Sequence, residues 1–259
     1  MLSNMAFCKL IFTGTVTWLF FLFISPSHAA SSGSNIGYPE KVNLSLYYET
    51  LNPNCSNFIV QKLTTVFAND LISIINLRLV PWGNAFIDNS SKKIVCKHGP
   101  EECMLNTVEA CAINVWNDNL NKYYGFIYCI EFLAIEGRHK DWSTCFENFG
   151  LTPKPILDCY NGGNGTEFSL QYANETAHLI PPGAFVPWLV VNNQPIREDY
   201  GNFTSYVCNA YKGSVVPNAC KNPLPGTNLA KEASPAKTMS RFKHALQEHQ
   251  IRKLKGQFV

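Results

Sequence analysis

Residues 42–67 read VNLSLYYETLNPNCSNFIVQKLTTVF. Val42, Leu44, Leu46 and Tyr48 alternate with Lys41, Asn43, Ser45 and Tyr47, the period-two pattern of a half-buried strand. Beyond Cys55 the pattern changes. Phe58, Ile59, Leu63, Val66 and Phe67 fall on one helical face. The junction is marked by Asn52 and Pro53: Asn is a strong N-cap, and Pro at the first helical position loses no hydrogen bond. Leu71–Trp82, LISIINLRLVPW, is rich in branched residues and reads as a second strand. Strand, helix and strand of this length predict a crossover with parallel pairing, half of a small α/β domain.

Downstream, residues 83–165 are dense in cysteine. Glu101–Trp116 and Tyr123–Ile135 have helical patterns, and Trp142–Tyr160 is looser. A helical pattern returns at Phe168–Leu179. Pro181-Pro182-Gly183 then leads into Phe185–Val191, a third strand opened by Pro187. Asn192–Pro195 turns this strand into a hairpin, and Tyr200–Tyr211 predicts one more helix. This order matches a thioredoxin-like α/β fold with a disulfide-rich helical insertion after the second strand. The boundaries are an N-terminal linker at 31–40, thioredoxin-like parts at 41–82 and 166–220, the insertion at 83–165, and a basic tail at 221–259. In the tail, Met239, Phe242, Leu246 and Leu254 could line a basic amphipathic helix; the alternative is a frayed or removable end.

Lys9, the apolar run Leu10–Ile24 and the small residues up to Ala30 read as a secretory signal peptide over 1–30. The run is shorter than the ~20 residues of a spanning helix, although an uncleaved anchor is the competing reading. No later segment is apolar enough to cross a bilayer. Net charge is +2, but from Lys221 onward eight Lys/Arg face Glu232 and Glu248, which leaves the rest of the chain acidic. Nothing in that body suggests nucleic acid.

Asn-x-Ser/Thr sequons at Asn43, Asn89, Asn164, Asn174 and Asn202 predict a glycoprotein of the secretory route. A sixth, Asn54, is expected to stay unmodified. Cys8 departs with the signal peptide, leaving nine cysteines, an odd number. Setting Cys55 aside leaves eight, enough for four disulfides; alternatively Cys55 is paired and another thiol is free. Cys96, His98, Cys103 and Cys111 lie close together, but their spacing is wider than zinc knuckles use. No metal and no cofactor is expected.

Cys96, His98, Gly99, Glu102, Cys103, Asn106 and Cys111 follow the spacing C-x-H-G-x-x-E-C-x-x-N-x-x-x-x-C. This resembles the signature of the gamma-interferon-inducible lysosomal thiol reductase family, and the likeness extends to the YYE strand and the VPWLVVN segment. The resemblance implies a thioredoxin-like fold and a thiol (disulfide) reductase of an acidic lysosomal or vacuolar compartment, or of the extracellular space. It also implies that the signature is mainly structural, with bridged cysteines and His98 orienting backbone.

The family places Cys-x-x-Cys after the first strand, which falls here on Asn52 and Cys55. The attacking cysteine is therefore absent, and Cys55 inherits the resolving position. In such chemistry the first thiolate attacks the substrate disulfide and the second thiol resolves the mixed disulfide. The resemblance further implies a cis bond before Pro187. The expected function is thiol–disulfide exchange on protein disulfides, weakened to one-cysteine activity. The alternatives are a non-catalytic peptide-binding or chaperone-like glycoprotein, or a purely structural one. Expected partners are disulfide-containing proteins or extended peptides, with small thiols as reductant.

Overall fold

The computed structural model describes residues 41–180 and 185–221, together with Ser240 and His244. The signal segment and the tail positions Met239, Phe242, Leu246 and Leu254 lie outside them.

β1 (Val42–Tyr48) runs inside a four-stranded sheet of order β2-β1-β5-β6. β2 (Ile75–Pro81) lies parallel to it, with Val42 opposite Ile75 and Tyr48 opposite Pro81. β5 (Trp188–Val191) lies antiparallel on the other side, with Tyr47 opposite Trp188. β6 (Gln194–Pro195) returns from β5 through Asn192 and Asn193, whose φ values of 46° and 66° are what a tight two-residue hairpin requires. A parallel crossover on one side of a strand and an antiparallel hairpin on the other is the thioredoxin-like topology.

The alternation of β1 divides its side chains between two cores. Leu44, Leu46 and Tyr48 enter the main core, and Tyr47 joins Val80, Trp82, Tyr172 and Trp188 on the opposite face. After β1, α1 (Pro53–Asn57) continues through a π-type turn (Phe58–Leu63) into α2 (Thr65–Ala68). This run buries Phe58, Ile59, Leu63, Val66 and Phe67 in the main core, each contributing ~1.5–3 kcal/mol relative to exposure.

Between β2 and β5 stand α3 (Pro100–Val115), α4 (Leu120–Ile135), α5 (Thr144–Asn148), α6 (Lys154–Asn161) and α7 (Asn164–Ala177). α4 packs on α1 and α3 and is buried through most of its length, so its apolar residues show little one-sidedness. α8 (Phe203–Ala210) and α9 (Asn218–Lys221) follow the hairpin. Among the described residues no helix is long and apolar enough to cross a membrane.

Four disulfides staple these parts. Cys111–Cys159 joins α3 to α6, Cys129–Cys145 joins α4 to α5, Cys208–Cys220 joins α8 to α9, and Cys96–Cys103 closes the turn into α3. Cys55 is the free cysteine among the described residues.

Three local expectations need correction. Leu71–Ile74 is a 3-10 turn, not strand, because Asp70 takes a left-handed φ of 61° and its carbonyl accepts from the Ser73 N–H and hydroxyl. The third strand begins at Trp188, not Phe185. A two-stranded ladder of β3 (Phe86–Ile87) and β4 (Ile94–Val95) was not foreseen. Phe86, Ile87 and Val95 are exposed, so they gave no buried-face signal.

Candidate active site

The segment after β1 carries Glu49, Thr50, Leu51 and Asn52. Glu49 and Thr50 are fully buried, and Leu51 takes a positive φ of 62° that turns the chain into the helix. Asn52 occupies the N-cap in extended conformation, with φ −86° and ψ 117°. Its Oδ1 accepts from the backbone N–H of Asn54 at 3.0 Å and of Cys55 at 3.4 Å. Its Nδ2 donates to Glu49 Oε1 at 2.8 Å. The amide thus satisfies helix donors that would otherwise face a thiolate at this position.

Cys55 lies one turn in, wholly buried. Burial pushes its thiol well above the usual range. The backbone N–H of Glu49 opposes that rise, whereas the negative charges of Glu131, Glu49 and Glu102 add to it. Such a thiol stays protonated and is a poor nucleophile.

The signature braces this loop. Asn106 Oδ1 accepts from the Thr50 N–H at 2.9 Å and from the Thr50 hydroxyl at 3.0 Å. Asn84 donates to Glu49 Oε2 through its backbone N–H at 2.8 Å and its side chain at 3.1 Å. Gly83, with φ +57°, permits that approach: a Cβ there would stand 2.6 Å from Glu49 Cβ. Cys96 and Cys103 are bridged to each other and Cys111 to Cys159. Gly99 precedes α3 with φ 92°, a conformation natural to glycine.

His98 departs from expectation. Its ring does not bond backbone; Nδ1 meets Glu102 Oε2 and lies 3.8 Å from Glu49 Oε1. Glu102 does the orienting instead, since its Oε2 also accepts the His98 backbone N–H at 2.9 Å. The reason is helical spacing: Glu102 sits four residues on, in the first turn of α3, where a carboxylate is favoured. Burial raises the Glu102 carboxyl, and the His98 bonds pull it back.

Beneath Cys55 lies a polar floor that reading the residues did not single out. Tyr48 Oη donates to Glu109 Oε2 at 2.6 Å, and Ser56 Oγ donates to Glu131 Oε2. Both carboxyls are fully buried. Burial raises Glu131 to about 8, and raises Glu109 well above its ordinary value with help from the charge of Glu131. The available signal was Glu131, the lone acid of the apolar run Leu120–Ile135; Glu109 shares its helix with Glu101 and Glu102 and does not stand out.

The Val186–Pro187 bond is cis. Pro187 precedes Trp188, which pairs with Tyr47 near the end of β1 where the Asn52 loop begins. Phe185 approaches the Tyr200 ring with centroids 6.4 Å apart, and Tyr200 in turn meets Phe58 at 5.8 Å. Those rings connect the cis-proline segment to the helix of Cys55. Asn43, Asn54, Asn89, Asn164, Asn174 and Asn202 are all exposed.

The sheet order, with a helix starting after β1 and a cis-proline before β5, defines a thioredoxin-like domain of the class that carries out thiol–disulfide exchange. The chain belongs to the gamma-interferon-inducible lysosomal thiol reductase family, a family of thiol oxidoreductases whose profile matches residues 43–149. It is 38% identical over 218 residues to the gamma-interferon-responsive lysosomal thiol protein of Arabidopsis thaliana, covering 83% of this chain and 86% of that one. It is 34% identical over 185 residues to the gamma-interferon-inducible lysosomal thiol reductase of Mus musculus, covering 70% and 72%. Among solved structures it is similar to Chlamydia trachomatis DsbA at 15% identity, covering 62% of this chain and 84% of that one, with a TM-score of 0.44.

Proposed function

We propose that this chain handles disulfide-bearing or extended polypeptides at a thioredoxin-type site whose two-cysteine cycle is absent, leaving weak exchange through Cys55 alone. The observation that carries this reading is the pair of facts at the helix start: Asn52 caps it, and the free thiol, Cys55, is buried behind it. In the one-cysteine step Cys55 gives up its proton and its sulfur attacks a substrate disulfide. One S–S bond forms as another breaks, and the displaced sulfur leaves as a thiol. An external small thiol then attacks the substrate sulfur of the mixed disulfide and releases Cys55. A second small thiol cleaves the resulting mixed disulfide, so that two small thiols become one disulfide and supply the two electrons. Glycosylation at Asn43, Asn89, Asn164, Asn174 and Asn202, and residence in a lysosomal or vacuolar compartment or outside the cell, belong to this proposal.

A second reading, non-catalytic holding of peptide, is favoured by the burial of Cys55, because the cis-Pro187 segment needs no thiol to meet a peptide backbone. One experiment separates them. Wild type and Cys55→Ser are assayed on a protein disulfide with excess small thiol, and in parallel for binding of a reduced, alkylated polypeptide. One-cysteine exchange predicts slow reduction that Cys55→Ser abolishes. Pure binding predicts no reduction in either protein and equal affinity in both. Reduction that survives Cys55→Ser would contradict both.

A further inference from the structure

Glu49, His98 and Glu102 come from three places, the end of β1, the turn after β4 and the first turn of α3. One ligand atom from each lies within 4.8 Å of the other two. Both glutamates are fully buried, whereas the His98 side chain keeps 30% of its surface exposed and leaves an entry path. Glu102 Oε1 is buried and has no hydrogen-bond partner among the described residues, although its sister oxygen is held by His98. Among those residues no Lys or Arg forms an ion pair with either carboxylate. Two buried carboxyls met only by neutral amides and a single imidazole, with one oxygen unpartnered, lack a full countercharge, which favours the arrival of a cation.

We propose that Glu49, His98 and Glu102 form a binding site for one divalent transition-metal ion, with Zn²⁺ as its natural probe. One imidazole nitrogen and two carboxylate oxygens suit zinc and its neighbours, while Ca²⁺ and Mg²⁺ prefer all-oxygen sets. Three protein ligands leave a fourth position for water. The supporting shell is in place: Asn52 and Asn84 hold the two oxygens of Glu49, and the Cys96–Cys103 bridge clamps the turn that carries His98. This set shares only His98 with the cysteine-based zinc site weighed from the sequence, whose cysteines are bridged. It stands independently of whether Cys55 exchanges disulfides.

The test uses the purified full chain, stripped with chelator and titrated at neutral pH with Zn²⁺ by calorimetry and with Co²⁺ by visible absorption. One equivalent should bind with a Kd of about 10 μM or tighter, and Co²⁺ should develop saturable d–d bands. His98→Ala and Glu102→Gln should each weaken binding at least tenfold, about 1.4 kcal/mol or more. His139→Ala, an imidazole paired with Glu101 elsewhere, should leave it unchanged. Glu102→Gln is nearly isosteric and guards against misfolding as the cause of any loss. Absence of saturable binding to wild type overturns the proposal. So does binding that survives both His98→Ala and Glu102→Gln.

Discussion

The mouth and the floor of the site each contain two buried glutamates, and they solve the same electrostatic problem differently. At the mouth, Glu49 is met by the Asn52 and Asn84 amides and Glu102 by the His98 ring and backbone. At the floor, Glu109 and Glu131 receive one hydroxyl each, from Tyr48 and Ser56, and no cation. Neutral hydroxyls cannot offset two buried negative charges, so the floor carboxyls retain protons to unusually high pH. Partners decide the state of a glutamate more than depth does. Cys55 lies between these layers, wholly buried, and the loss of water, with the nearby carboxyls adding to it, makes this a poor setting for a thiolate.

The largest effect expected from this contrast is a pH dependence of stability. The folded Glu131 carboxyl is raised to about 8 from an ordinary value of 4.5, so between those values the folded chain holds a proton that the unfolded chain has lost. The stabilisation is fully present below about pH 4.5 and is lost as pH rises through about 8, at up to ~1.4 kcal/mol per pH unit. The groups facing Glu131 include Ser56 and Cys55 on α1, Tyr48 on β1, and Glu109 and Glu102 on α3. Denaturant midpoints should therefore fall between pH 4.5 and 8 for wild type, and Glu131→Gln should flatten the slope. A wild-type curve flat or rising across that window would show that the floor carboxyls ionise freely.

A smaller effect separates bracing from chemistry. Asn106→Ala removes the acceptor of the buried Thr50 N–H, which should cost ~1–3 kcal/mol. Hydrogen exchange should accelerate along 49–55 while the strands beneath remain protected. Unchanged exchange there would mean that the signature does not hold the loop.

How much of this could be read beforehand follows from the physics of each part. β1 and the helix after it showed because each buries one face, and periodicity reports a one-sided face. Asn52–Pro53 showed because capping is local chemistry. Leu71–Ile74 misled because a buried 3-10 turn and a buried strand share the same apolar composition, and only the Asp70 backbone distinguishes them. The cis bond at Pro187 could be expected from family resemblance alone, since local sequence seldom determines it. The floor and the mouth join residues up to 75 positions apart, a pairing no local pattern reveals. The expectation that His98 orients backbone rests on how often local polar side chains do so, whereas its ring meets the carboxyl four residues on.

On the proposed reading Asn52 alone withholds two-cysteine chemistry from this site, and disulfide-reductase activity of Asn52→Cys beside wild type measures that directly. The replacement gives up an Asn cap worth about 1 kcal/mol. It gains a thiol at a helix N-terminus, where its pKa falls, with Cys55 three residues on to resolve the mixed disulfide. Activity should rise at least about tenfold over wild type and should then depend on Cys55. A wild type already as active as Asn52→Cys, with that activity intact in Cys55→Ser, would mean that the chemistry lies elsewhere.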